Sequence, residues 1–241
     1  MTAPALARRA LALPLLGGVV AACGPSALTA APTAPDPAGA APPPVLKAPL
    51  TSVAVGASDA AGVGVEDAAR DGWVPVLGRR LPQPAKVVNL GIPGIRLQEA
   101  LEVELPPALD ARPDLVTVWL VVNDVLSGVP LDRYRAGLDR LIGELRGAGA
   151  QVAVGNVPDA PEQSAYLGVP PGVRPALTAA WNEAIARVAE AHGAVLVDLY
   201  RLWPVVEHPE YVGPDGLHPT VAGYRVLADT FHGVLRERRI V

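Results

Sequence analysis

The chain has 241 residues, half of them apolar and 18% charged, with a formal net charge of −4. This is the composition of a globular protein, not a disordered one, and nothing in the charge balance points to nucleic acid as a partner. The single cysteine, Cys23, excludes an intrachain disulfide and any multi-cysteine metal site.

In chain order, the first feature is a short basic start at Arg8 and Arg9, followed by an apolar run over residues 10–22. The run has the length of a signal-peptide core and is too short to span a bilayer; Pro14, Gly17 and Gly18 weaken a spanning helix further. It ends Val20-Ala21-Ala22-Cys23, which resembles the bacterial lipobox. That resemblance implies a signal peptide at 1–22 and a Cys23 that is acylated and becomes the mature N-terminus, anchored to a membrane. The other reading of these residues is an ordinary cleaved signal peptide with an incidental cysteine. Residues 24–48 are rich in Ala and Pro, which block helix and sheet alike, so 23–48 reads as a lipidated tether and the folded domain as 49–241.

From residue 50 the pattern alternates. Short apolar runs at 51–56, 86–90, 115–122, 151–157 and 194–199 read as buried parallel strands. Leu131, Tyr134, Leu138, Leu141, Ile142 and Leu145 recur at helical spacing, with Gly147 and Gly149 as stops. Leu177, Trp181, Ile185 and Val188 form a second such set before Gly193, and 221–235 reads as a closing helix. Strand–helix alternation predicts a doubly wound α/β sheet of about five parallel strands. Ligands bind such sheets beyond the carboxyl ends of the strands, so polar residues just after each apolar run are the site candidates.

Those positions carry Gly56-Ala57-Ser58-Asp59 with Gly62 and Gly64, then Asn89-Leu90-Gly91-Ile92-Pro93-Gly94, then Asn123-Asp124, and finally Asp215-Gly216-Leu217-His218-Pro219. The blocks and their order resemble the SGNH hydrolase superfamily, the GDSL esterases and lipases, from about residue 50 to the end. The resemblance implies a single flavodoxin-like three-layer domain. It also implies a catalytic triad of Ser58, Asp215 and His218, an oxyanion hole from Ser58, Gly94 and Asn123, and no cofactor or metal. Two departures stand out. Ala57 replaces the Asp that usually precedes the nucleophile, with Asp59 following it instead. Val121 replaces the Gly two residues before the Asn, where a side chain could narrow the pocket.

The chemistry follows from the residue types. A serine hydroxyl needs a base, and histidine, which titrates near neutrality, is the usual one. An Asp three residues before His218 can reach the imidazole Nδ1 within one turn, fixing its tautomer. An oxyanion needs fixed donors, and a glycine at position 94 lets the backbone approach substrate. Each block also has a bland reading: Ser58 as a helix cap, Asn123-Asp124 as a strand-end turn, Gly94 as a turn glycine, and His218-Pro219 as the start of the last helix. Elsewhere, His192 reads as a helix C-terminal cap, His208 and Glu207 as a solvated loop, His232 as structural and Asp198 as a brace or cap. Trp73, Trp119, Trp181 and Trp203 read as core, with Trp203 the first of them to consider as an exception that meets substrate. The chain thus reads as an exported esterase acting on small ester substrates. Its alternatives are a tethered binding protein on the same fold and an acyltransferase.

Overall fold

The computed structural model describes residues 44–159, 173–203 and 205–241. The expected signal peptide, Cys23 and the tether as far as residue 43 lie outside them.

The short apolar runs become β1 (Leu50–Gly56), β2 (Ala85–Asn89), β3 (Leu115–Trp119), β4 (Gln151–Gly155) and β5 (Val195–Val197). They form one five-stranded sheet in the order β2-β1-β3-β4-β5, with every pairing parallel. Every residue of β3 and β4 is buried, and only Thr51 of β1 is less than buried. Burial on both faces explains why these strands are continuous apolar runs instead of alternating ones. The edge strands β2 and β5 are more exposed.

Helices α1 (Ser58–Ala61), α2 (Ala68–Asp71) and α3 (Trp73–Gly78) connect β1 to β2, and α4 (Leu97–Val103) and α5 (Leu105–Asp110) lead to β3. After β3 come α6 (Val122–Leu126) and α7 (Leu131–Gly147), and α8 (Arg174–Ala191) precedes β5. The chain closes with α9 (Leu199–Leu202) and α10 (Val221–Glu237). Two helical groups flank the sheet. Trp73 of α3 stacks on Phe231 of α10 at 4.8 Å, and Tyr134 of α7 meets Trp181 of α8 at 4.7 Å. Leu97 of α4 packs so closely on Gly137 of α7 that a Cβ there would lie 3.2 Å from its Cδ2.

The run 115–122, expected as one strand, is strand only as far as Trp119, and Val122 already opens α6. The Tyr134 hydroxyl donates to Leu120 O at 2.9 Å and so occupies a carbonyl that a longer ladder would use. Val121 then bends the backbone with φ −144° and ψ −38°. Asn123 and Asp124 therefore project from a helix instead of ending a strand. At the other end of the domain, Leu46 donates its N–H to Ile240 O at 2.7 Å, a contact that precedes the expected domain start at residue 49.

One buried group stands against the packing rules. Glu104, at the junction of α4 and α5, is completely buried, and neither of its carboxyl oxygens has a hydrogen-bond partner. The Gly56 and Ile92 amides lie near it but do not reach bonding geometry. Burial, reinforced by the nearby Asp59 charge, pushes its carboxyl up to about 8. The folded state therefore holds a proton that the unfolded chain releases, and stability falls as pH rises from the ordinary carboxylate range through about 8. Glu104→Gln should remove Glu104's share of this slope. At about 1.4 kcal/mol per pKa unit, the variant should gain several degrees in Tm over wild type at pH 8 but little at pH 4.5. Parallel Tm-against-pH curves for the two proteins would show that Glu104 ionises normally.

Candidate active site

Strands β2 and β3 lie on opposite sides of β1, so the winding direction reverses there and leaves a crevice beyond the carboxyl ends of β1 and β3. Ser58 stands two residues beyond β1. It is the first residue of α1, whose N-cap is Ala57 and makes no side-chain cap bond, so the Ser58 hydroxyl does not serve as the cap. The turn is tight: a Cβ on Gly56 would sit 2.7 Å from Ala60 Cβ.

The glycine block after β2 is tied to this turn by hydrogen bonds. Leu90 donates to Ala54 O at 2.9 Å and Ile92 to Gly56 O at 3.1 Å. The Asn89 amide donates to Ala60 O at 2.6 Å, while its own carbonyl accepts the Gly91 N–H at 3.1 Å. A Cβ on Gly91 would come within 2.6 Å of Ala60 Cβ and 2.8 Å of Ala61 N, so this glycine is required for the two loops to touch. Gly94 serves differently: its φ is +81° and nothing lies near its missing Cβ, so it supplies a left-handed turn in open space.

Across the crevice, the Asn123 amide donates to Ile95 O at 2.9 Å, leaving its second N–H for another acceptor. The adjacent Asp124 is buried and accepts the Leu97 N–H at 2.9 Å, at the start of α4. Burial pushes its carboxyl up to about 6, against the lowering effects of that N–H and of Arg96. Asn123 and Asp124 together thus clamp both ends of the segment from Ile95 to Leu97.

The Asp-x-x-His segment sits in a loop closed by an antiparallel bridge between Val212 and Pro219. The Gly213 N–H donates to His218 O at 2.7 Å, and Gly216 turns the loop with φ +68°. Asp215 Oδ2 lies 2.6 Å from His218 Nδ1, and Oδ1 accepts the Leu217 and His218 amides at 3.0 Å each. Partial burial works to raise this carboxyl, but the bonds from the His218 ring and the two amides outweigh it and hold Asp215 at about 2. The last helix begins after this loop, with Thr220 as its N-cap, so Pro219 does not open it. Gly64 presses against the loop from the nucleophile side. With φ +102°, it would place a Cβ 2.9 Å from Pro219 O and 3.1 Å from His218 Cβ. The Tyr224 hydroxyl adds a second tie from α10, donating to Val63 O at 2.6 Å.

Ser58, Asn123 and His218 line one cleft together with Ala57, Asp59, Ile95, Trp119, Val121, Val122, Leu217 and Pro219, around a cavity of about 30 Å3. Asp215 stands behind His218, and Gly94 lies outside the lining, one residue from Ile95. Asp59 has a buried Oδ2 without a partner beside the equally unpartnered Trp73 indole N–H, and burial pushes it up to about 7. Trp119 and Trp203 are both buried in the core, as expected; Trp119 also forms a wall of the cleft, and Trp203, the one considered as an exception, is wholly buried. The two rings meet edge-on at 5.8 Å. Asp198 accepts the Asn156 amide at 2.8 Å and so braces the end of β4. His192 is the C-cap of α8 and bonds Asp139 at 2.9 Å; His208 bonds Glu210 at 2.9 Å and stacks on Tyr211. In the sequence, Asn89, Gly91 and Gly64 stand out only as parts of motifs. Their spacing from Ser58 was the one signal available, since their roles are contacts between distant loops.

A serine, a histidine and donor groups around one small cleft can perform acyl transfer. The comparisons agree with that arrangement. A family model described as GDSL-like lipase/acylhydrolase matches residues 54–226. An arylesterase from Vibrio mimicus is 30% identical over 138 residues, covering 57% of this chain and 63% of that protein, so the chain spans less than two thirds of this relative. Among solved structures, TesA superposes with a TM-score of 0.67 and 26% identity, over 78% of this chain and 99% of that one. The psychrotrophic esterase EstA from a Pseudoalteromonas species, solved with monoethylphosphonate as inhibitor, gives 0.64 and 21%, over 78% and 97%.

The Gly64 contact yields a test. Gly64→Ala forces a side chain against the His218 loop, and a misplacement of about 1 Å at a reacting group costs roughly 100-fold in rate. The variant should keep its circular dichroism spectrum while turnover of p-nitrophenyl acetate falls roughly 10- to 100-fold. Unchanged turnover would show that the loop holds His218 without this contact.

Proposed function

The chain belongs to the GDSL-like lipase/acylhydrolase family, and from that premise we propose that it is a serine ester hydrolase working through an acyl-Ser58 intermediate. The observation that carries the proposal is the meeting of Ser58 and His218 in one cleft, with Asp215 bonded to the imidazole. An Asp215 carboxyl held at about 2 is ionised at neutral pH and accepts a hydrogen bond from Nδ1–H, so the lone pair on Nε2 is left as the base. His218 takes the Ser58 proton as Oγ attacks the ester carbonyl. The oxyanion that forms is met by the Ser58 N–H, the second Asn123 amide N–H and the Gly94 N–H. Return of the proton from His218 to the ester oxygen expels the alcohol, and water activated by the same base releases the acid. The cycle uses no cofactor. The relative's name suggests aryl esters as the first substrates to try; acetylated envelope sugars and lysophospholipids fit the expected location.

A fluorophosphonate should label Ser58 and no other residue, as read by peptide mapping. His218→Ala should abolish labelling and Asp215→Asn should slow it, because the wrong tautomer is then favoured. A folded protein that resists the probe, or labels equally well without His218, would leave the binding-protein reading in place of the esterase.

We further propose that the protein is exported and anchored to a bacterial membrane as a lipoprotein through Cys23. Support comes from Arg8-Arg9, the apolar run at 10–22 and the small residues ahead of the cysteine. An alkynyl fatty acid fed to expressing cells should tag wild type and leave Cys23→Ser untagged. Equal tagging would place any lipid elsewhere.

A further inference from the structure

A second, open hollow lies on the helical layer of α2, α3 and α10 and shares no lining residue with the cleft. It measures about 430 Å3 and is lined by Arg70, Asp71, Val76, Arg79, Arg80 and Arg225. The chain has more acidic than basic residues, 24 against 20. Four of the six side chains here are nevertheless guanidiniums, and gathered like charges repel unless they are balanced. Two of the four are balanced by the protein. Arg70 donates from Nε and Nη2 to Asp71 Oδ2 at 3.0 and 2.6 Å, and its Nη1 lies 3.7 Å from Asp67. Arg80 meets Asp229 at 2.8 Å and donates from Nη1 to Val76 O at 3.1 Å. The other two have no carboxylate partner among the described residues. Arg79 donates from Nη2 to the Arg70 carbonyl at 2.6 Å, which fixes the side chain without neutralising it. Arg225, on the exposed face of α10, makes no hydrogen bond or ion pair among the described residues. Asp71, the one carboxylate of the lining, is buried and already committed to Arg70. That bond first, and then the charges of Arg70, Arg225 and Arg79, hold it below the usual carboxylate range.

We propose that this hollow is an anion site for a phosphate group, with Arg79 and Arg225 as its principal ligands and Arg70 and Arg80 at its flanks. A guanidinium carries five N–H donors in one plane, and the internal partners of these four use only some of them. A carboxylate offers two oxygens in one plane and suits a single fork. A phosphate offers oxygens on a tetrahedron, so it can accept from guanidiniums that converge from α10 on one side and from α2 and the end of α3 on the other. Asp67 and Asp229 stand on the same face and oppose the anion, and the hollow is open to solvent, so binding weakens as salt rises. A soluble phosphate compound and a phospholipid headgroup present the same chemistry to these side chains.

The test is calorimetric titration of the full chain with inorganic phosphate and, separately, with acetate, at constant ionic strength. Phosphate should bind saturably at one site, and acetate at least about tenfold more weakly. Arg225→Gln and Arg79→Gln should each weaken phosphate at least about tenfold, because a hydrogen bond to a charged group is lost. Arg225 has no bonded partner to lose, so its variant should keep the wild-type Tm in chloride buffer, which guards against a folding defect. Cosedimentation with vesicles separates the two sources, on the Cys23→Ser chain so that no lipid attached there contributes. Binding to phosphatidylglycerol vesicles above phosphatidylcholine vesicles, weakened by Arg225→Gln, would assign the site to a lipid headgroup. Saturable phosphate binding without that difference would assign it to a soluble phosphate compound. Phosphate that binds no more tightly than acetate, or equally well to wild type and to both variants, would overturn the inference.

Discussion

The site depends on one pairing, the parallel register of β1 with β3, in which Gly56 stands opposite Trp119. Both strands end at that point, so the chain leaves the sheet at the same level on adjacent strands. The nucleophile turn and the segment from Leu120 to Asn123 therefore emerge side by side. A shift of a single residue would turn every side chain of the strand to the other face and separate Ser58 from the Asn123 amide. Burial of both faces of β1 and β3 makes such a shift expensive, so the same apolar residues that stabilise the core also set the spacing of the site.

No strand places the histidine. His218 comes from a loop ahead of α10, and its position relative to Ser58 is settled by close contacts. Gly64 admits the loop at near-contact distance, and Tyr224 ties α10 to Val63 at the base of the nucleophile segment. The stacking of Trp73 on Phe231 anchors α10 to α3 below. The internal geometry of the Asp215–His218 unit is local, set by one Asp side chain that accepts two backbone amides and faces the ring. A preformed unit of this kind is then carried to the serine by packing, which divides orientation of the base from its placement.

That division explains what could be read from the sequence. The strands and long helices were legible because buried parallel strands are unbroken apolar runs and α7, α8 and α10 keep helical spacing. Ser58, Asn123, Asp215 and His218 were legible as local motifs following those elements. The turn at Leu120 was not: residues 115–122 are uniformly apolar, and the strand is cut by a hydrogen bond from Tyr134, which belongs to a different element. That Trp119, and not Trp203, also reaches the cleft was hidden for a similar reason. Both end short apolar stretches, and only the crossing of β3 past α9 decides which ring faces the cleft. Nothing local marks Glu104 as buried, because the groups around it, Gly56, Asp59 and Ile92, are distant in sequence.

The carboxyls around the crevice show how one type of side chain is set to opposite states. Asp215 receives the His218 ring and two amides and is held at about 2, whereas Glu104 at about 8 and Asp59 at about 7 have buried oxygens without partners. Depth separates them first, since the Asp215 side chain is half exposed and Glu104 is wholly buried, and the donors that Asp215 faces widen the gap. An unpartnered buried polar group costs about 1–3 kcal/mol, and more when charged, so neutralisation is the cheaper state for Asp59 below about 7 and for Glu104 below about 8. The proposed reaction gives that cost a direction. Negative charge appears on the substrate oxygen beside the Ser58 amide, one residue from Asp59, while positive charge appears on His218. An ionised Asp59 would oppose the oxyanion, and a protonated one does not. Asp215, ionised, lies against the ring that becomes cationic. Asp215 is thus the carboxyl whose charge favours the transition state, kept ionised by the ring and the two amides it faces.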